Sequence, residues 1–203
     1  MEVRRCSWVT DDVDSINYHD HEWGIVRSHS YDDRYLFEML SLEGAQAGLS
    51  WMTILKRRKN YRDAFNQFDP EIVSKYDEQK VKQLLNNEGI IRNERKIRSV
   101  INNAKAFIHV QKEFGSFSTY IWDFVNNKPI VNEWDSFEQA PAYTPLSNKI
   151  SLDLKKRGFT FVGPIICYTF MQAIGMVNDH AKECFLYNKL NTDEKSLGQN
   201  SSE

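Results

Sequence analysis

Two short segments at opposite ends of this chain read as the two halves of one metal site. Cys6 precedes Tyr18-His19-Asp20-His21-Glu22-Trp23, and Asn178-Asp179-His180-Ala181-Lys182-Glu183-Cys184 follows near the other end. Two thiolates and two imidazoles are the donor set of a closed tetrahedral zinc site, and such a site would fold the chain so that its ends lie side by side. The His180-x3-Cys184 spacing predicts that both side chains share one helix face, because residues four apart are neighbours there. Cys6 and an N-terminal histidine can join them only through tertiary folding. His21 and His29 compete with His19 for that place, and spacing does not decide among the three. Cys167, in the apolar run Ile165-Ile166-Cys167-Tyr168, reads instead as a buried core thiol.

The three cysteines are odd in number and have no disulfide-framework spacing, which fits a reducing cytosol. Met1-Glu2-Val3-Arg4-Arg5-Cys6 contains no apolar signal core. No apolar run approaches the roughly 20 residues that cross a bilayer, so the expectation is a cytoplasmic protein. At 203 residues the chain suits one domain with a substantial core. The net charge of -2 does not advertise nucleic-acid binding, but the positive charge is clustered. Lys56-Arg57-Arg58-Lys59 is one basic run; Arg92, Arg95, Lys96 and Arg98 form a second, and Lys155-Lys156-Arg157 a third. Each alone reads as a solvated helix end, whereas all three on one face would make a phosphate track.

The periodicity is helical almost throughout, which predicts an all-α fold. Asp32 or Asp33 caps a helix with Tyr35, Leu36, Met39, Leu40 and Leu42 inward, and Gly44 and Gly48 weaken its end. Further helices are predicted near Ser50 to Asn66, from Asp69-Pro70-Glu71, over Glu78 to Asn86, Asn93 to Phe114, Phe117 to Val125, Ser147 to Arg157 and Pro164 to Ile174. Pro129 to Pro145, with Trp134 and Phe137, reads as a loop, and no alternation is long enough for a sheet. The expected domain covers residues 1–190, with a hairpin lobe near 50–145, a metal-bearing lobe from both termini, and a disordered polar tail over 191–203.

Trp8, Tyr18, Trp23 and Trp51 fall in the first quarter of the chain. Aromatic residues are usually packing, but Glu43 lies among small and apolar residues in Leu42-Glu43-Gly44-Ala45-Gln46-Ala47-Gly48-Leu49-Ser50-Trp51, where a solvated face is not expected. An ionised carboxylate lined by aromatic rings makes a pocket for a flat cation. In Leu84-Leu85-Asn86-Asn87-Glu88-Gly89-Ile90-Ile91-Arg92-Asn93, two helical patterns meet through one glycine. Gly89 there can take positive φ, and the following helix start offers N–H groups to a phosphate without reading sequence.

Taken together, Cys6-x-Trp8, Tyr18-His19-Asp20-x-Glu22-Trp23-Gly24, Leu42-Glu43-Gly44-x-Gln46-Ala47-Gly48-Leu49-Ser50-Trp51, Gly89-Ile90-Ile91-Arg92, Lys155-Lys156-Arg157-Gly158-Phe159-x-Phe161-Val162-Gly163 and Asn178-Asp179-His180-x3-Cys184 resemble bacterial DNA-3-methyladenine glycosylase I, from Cys6 to Cys184. The resemblance implies a helix-hairpin-helix glycosylase fold and a zinc-dependent join of the termini, with Cys6, His19, His180 and Cys184 as ligands of one structural Zn2+. It implies a monomer that excises 3-methyladenine from damaged double-stranded DNA by hydrolysing the N-glycosidic bond, with no lyase step and no protein partner. It further implies that Glu43 holds the base, that Tyr18 and Trp51 stack near it with Trp8 and Trp23 shaping the pocket, and that Gly89, Ile91 and Arg92 meet a DNA phosphate. In one respect the chain departs: where the family often carries a tyrosine it has Ser15, so a wider pocket with a looser preference is expected.

Overall fold

In the computed structural model, which describes residues 3–187, eight of the ten α-helices start on a side chain that accepts a backbone N–H from the helix's own first turn. These caps (Asp12, Asp32, Ser50, Asp69, Asp77, Asn93, Ser116 and Thr144) satisfy donors that the first turn leaves without partners. They explain why so polar a chain breaks into many short helices at defined points. The helices are α1 (Val13–His21), α2 (Asp33–Gln46), α3 (Trp51–Leu55), α4 (Arg58–Ala64), α5 (Pro70–Val73), α6 (Glu78–Leu85), α7 (Glu94–Phe114), α8 (Phe117–Asp123), α9 (Pro145–Lys156) and α10 (Pro164–Ala173).

The core is organised around α2. Every residue from Leu36 to Ala45 is buried, so this helix has no solvated face, and α3, α7, α8 and α10 pack around it. A helix buried along its middle buries its charged residues too, and α2 buries two carboxylates, Glu38 and Glu43. The long α7 is amphipathic, with Ile97, Val100, Ala104 and Phe107 inward, and it packs against α5, α6 and α8. The α9–α10 pair closes the other side of α2.

Four features add to or revise the expectations from the sequence. First, α1 forms without an apolar stripe to announce it, because its buried residues are Ser15, Tyr18 and His19. Second, the single helix expected from Ser50 to Asn66 is two, α3 and α4, and the break coincides with Arg58 turning into the interior. Third, Ile130–Val131 (β1) and Val177–Asn178 (β2) pair in parallel, Ile130 opposite Val177, and tie the 129–145 loop to the chain just before His180. Fourth, His180 and Cys184 are not on a helix: the strand ends at Asn178, and turn and bend residues follow to Cys184. The tail expected over 191–203 lies outside the described residues.

Candidate active site and metal centre

The ligand atoms of Cys6, His19 and Cys184 all lie within 4.8 Å of one another, and all three residues are buried. His19 comes from α1 and Cys184 from the turn after β2, with the Cys184 sulfur 3.5 Å from His19 Nε2. The His180 ring lies 5.1 Å from the His19 ring. Each imidazole is held through Nδ1, His19 by Asp20 at 2.8 Å and His180 by Asn178 at 2.9 Å. Asp20 is in turn gripped by Arg5 at 2.7 Å. Such partners fix the tautomer of a metal-ligating histidine. They leave His180 Nε2 buried with no hydrogen-bond partner. Burial and the neighbouring His19 hold His180 neutral, down at about 3. A hydrogen bond from the Cys6 thiol pulls Cys184 down to about 5, and the same contact, with burial, pushes Cys6 up. A Cβ on Gly24 would stand 2.6 Å from His180 Cε1, so the imidazole occupies the space of a missing side chain. His180 stands outside the three-residue cluster, but its orphaned nitrogen beside His19 is a spare donor that, with two sulfurs and a second imidazole, matches the donor set of a Cys2His2 ion. The rivals lie elsewhere: His21 is exposed, and His29 packs on Tyr35 at 4.6 Å. Cys167 is fully buried, as read from the sequence.

Directly against this cluster lies a cavity of about 340 Å³ lined by Trp8, Tyr18, Trp23, Glu43, Gln46, Ser50, Trp51, Met52, Phe137, Thr169 and Gln172. Trp23 is the shared wall, 4.8 Å edge-on from His180 and 5.1 Å from Trp8. Tyr18 and Trp51 meet at 5.1 Å. All five aromatic and acidic residues singled out in the sequence therefore line one cavity. The two carboxylates of α2 meet opposite fates. Glu38 is paired with Arg58 and Arg62, whereas among the described residues Glu43 has no ion pair and its Oε2 has no hydrogen-bond partner. Burial pushes the Glu43 carboxyl up to about 8, against the pull of Thr169 and Arg58. The indole N–H groups of Trp8 and Trp51 are also buried without partners. A flat ligand with donors on its edge would satisfy the carboxylate and fill the space between the rings.

Phe137, Thr169 and Gln172 carry no signal in the sequence, since they reach the cavity from distant segments. Phe137 is placed by Asp179, whose buried carboxylate accepts from Asn132 and Trp134 of the loop and from Tyr168 and Gln172 of α10, at 2.6–2.8 Å. Ser15 does not line the cavity. It is fully buried and accepts from the Thr10 N–H at 3.1 Å.

The basic runs divide. In the first, Arg58 is buried in a bidentate pair with Glu22, Lys56 is bound to Asp12 and Lys59 to Asp63, so most of its charge is neutralised. The second and third meet in an open cleft lined by Arg95, Arg98 and Lys155 with Asn102 and Phe161. The hairpin between α6 and α7 also differs from expectation. Gly89 does not take positive φ. A Cβ there would stand 3.0 Å from the Asn60 side chain, so the glycine marks a close approach between the hairpin and α4. The Gly89 N–H donates to Asn87 Oδ1 at 2.8 Å and the Ile91 N–H to the Tyr61 hydroxyl at 3.2 Å. Arg92 is exposed, 3.6 Å from Glu88.

A model of the methyladenine glycosylase family matches residues 8–187. DNA-3-methyladenine glycosylase 1 of Escherichia coli is 46% identical over 185 residues, covering 91% of this chain and 97% of that protein. The crystal structure of 3-methyladenine DNA glycosylase I superposes with a TM-score of 0.86 at 48% identity, covering 90% of this chain and 98% of the other. A variant of 3-methyladenine DNA glycosylase I in complex with 3-methyladenine superposes at 0.85 with 34% identity, covering 89% and 96%. With this fold, and with the aromatic cavity and its buried acid in place, the chain belongs to the methyladenine glycosylase family.

Proposed function

We propose that this protein is a DNA-3-methyladenine glycosylase that extrudes the alkylated base from duplex DNA into the aromatic cavity and hydrolyses its N-glycosidic bond. The observation that carries this reading is Glu43: a carboxylate 4% exposed, with one oxygen unpartnered, in a cavity walled by Trp8, Tyr18, Trp23 and Trp51. Methylation at N3 makes the base cationic and a good leaving group. A damaged pair is also easier to open, which favours extrusion of the lesion. Ring faces attract the cation, by about 2 kcal/mol when desolvated, and normal adenine gains none of this. The arriving cation drives the Glu43 proton off to solvent, and the carboxylate accepts hydrogen bonds from the adenine edge and orients the base. Water then attacks C1′ of an oxocarbenium-like sugar. Because the leaving group is already activated, a strong general base is not required, and base removal is the only step.

At the hairpin of Gly89, Ile91 and Arg92, the exposed Arg92 is the group that meets a phosphate beside the lesion, the Gly89 and Ile91 N–H groups being bonded to Asn87 and Tyr61, and the Arg95–Lys155 cleft extends the positive surface. Cys6, His19, His180 and Cys184 would hold one zinc ion, which would supply stability at the join of the two ends of the chain and no step of the hydrolysis. The protein works as a cytoplasmic monomer.

Tryptophan fluorescence tests the pocket, since three tryptophans line it. Titration with free 3-methyladenine should give a saturable change that adenine at the same concentration does not, and Glu43→Gln should weaken it about tenfold, the worth of a charge-assisted hydrogen bond. Equal binding of adenine, or full affinity in the variant, would remove Glu43 and the cavity from base recognition.

A further inference from the structure

We infer that Lys96 is a positioning residue that fixes the base pocket to the DNA-gripping helix, and that it is not a phosphate contact. The inference rests on the glycosylase reading and concerns a lysine that the sequence places within a basic run. The Lys96 ammonium donates to the carbonyls of Ala45 at 2.8 Å and Ala47 at 2.6 Å. These carbonyls belong to the last turn of α2, where oxygens lack partners within the helix and carry partial negative charge. The segment they anchor runs from Glu43 to Trp51, and Glu43, Gln46, Ser50 and Trp51 of that segment line the cavity.

Its own backbone bonds are the Ala47 N–H to the Gly44 carbonyl, long at 3.4 Å, and the Leu49 N–H to the Gln46 carbonyl at 2.6 Å, and Gly48 turns the chain at φ +77° over open space. Ser50 bonds locally to Thr53. Among the described residues, no other side chain donates to a backbone carbonyl between residues 44 and 50. Lys96 stands in the first turn of α7, four residues beyond Arg92 of the hairpin. One ammonium therefore links the element that meets the DNA backbone to the element that meets the base. An error of about 1 Å in such a register costs orders of magnitude in rate. The neighbours differ: Arg98 is held by Glu78 and Glu94 at the surface, and Arg95 is exposed beside the cleft.

The test compares full-length, zinc-loaded wild type with Lys96→Met, Lys96→Gln and Lys96→Arg. Amide exchange, single-turnover release of 3-methyladenine, and affinity for a duplex carrying an abasic-site analogue are measured at several salt concentrations. Lys96→Met should exchange at least tenfold faster in residues 44–51 alone and release base at least tenfold more slowly at saturating protein. Its DNA affinity should stay within twofold, with an unchanged salt slope. Arg should restore most of the rate, since it can reach the same carbonyls, and Gln should fall between. If Met does not fold, Gln is read by the same criteria. A phosphate contact would instead lower affinity and reduce the salt slope by about one, and that result overturns the inference. So does unchanged exchange in residues 44–51, whatever the activity. Absence of base release by the wild type would count against the glycosylase reading and leave the exchange result to judge the tether.

Discussion

Replacing Glu43 with Gln is expected to raise stability increasingly as the pH rises. The wild-type carboxyl is buried in the middle of α2, unpaired, and pushed by burial from an ordinary 4.5 to about 8. Between those values the unfolded chain has lost the proton and the folded protein keeps it. The folded state therefore binds more protons, and stability falls as pH rises through this window. At about 1.4 kcal/mol per pH unit, the total cost of ionising Glu43 is capped at about 5 kcal/mol. Gln cannot titrate, so the stability difference between variant and wild type should widen by about 2–3 kcal/mol from pH 5 to pH 7 and flatten above pH 8. Any fixed offset from burying an amide drops out, because only the pH dependence is read. The metal ligands titrate alike in both proteins and cancel in the comparison. Urea denaturation of both zinc-loaded proteins at pH 5, 6, 7 and 8 gives the curve. A difference that stays flat would mean that Glu43 is ionised in the folded protein at ordinary carboxylate pH, and the argument from an uncompensated acid would be wrong. The same substitution is expected to weaken base release, so the pocket stores instability that the cationic base relieves on binding.

The metal centre yields the other predictions. Gly24→Ala places a methyl group 2.6 Å from His180 Cε1 at φ +70°. It should lower bound zinc by elemental analysis and destabilise the fold by at least about 2 kcal/mol; full zinc content with unchanged stability would show that the imidazole is not held against this glycine. Removing the metal with a strong chelator should lower the Tm of the wild type, and added zinc should restore it. An unchanged Tm after verified metal removal would argue against a structural ion.

How much was legible in the sequence follows from what each element rests on. The caps and the apolar positions of α2, α6 and α7 are local, so those helices lie where the periodicity puts them. Trp8, Tyr18, Trp23, Glu43 and Trp51 were legible because a carboxylate among small and apolar residues is costly to bury unless something pairs with it, and rings nearby supply the walls of a pocket. The candidate metal ligands stand out as paired end motifs, but the four-residue spacing from His180 to Cys184 is met by a turn as well as by a helix, and the turn after β2 supplies it. No periodicity announces α1, since its inward residues are Ser15, Tyr18 and His19. Phe137, Thr169 and Gln172 enter the site only through Asp179 and the packing of α10 on α2, which are tertiary facts. The charge of the run Lys56–Lys59 says nothing of its partners: Glu22 and Asp12 come from distant segments and Asp63 from the next turn of α4 to neutralise it.

The central claim is that Glu43 in its aromatic cavity makes this protein a base-releasing enzyme for cationic adenine. The most direct measurement is chromatography of the free bases released from methylated duplex DNA by the wild type and by Glu43→Gln, with folding and zinc content verified for both. The account predicts release of 3-methyladenine by the wild type, strongly reduced in the variant. No release by the folded, zinc-loaded wild type would contradict it and leave a helical DNA-binding protein, and equal release by the variant would separate the activity from the buried acid.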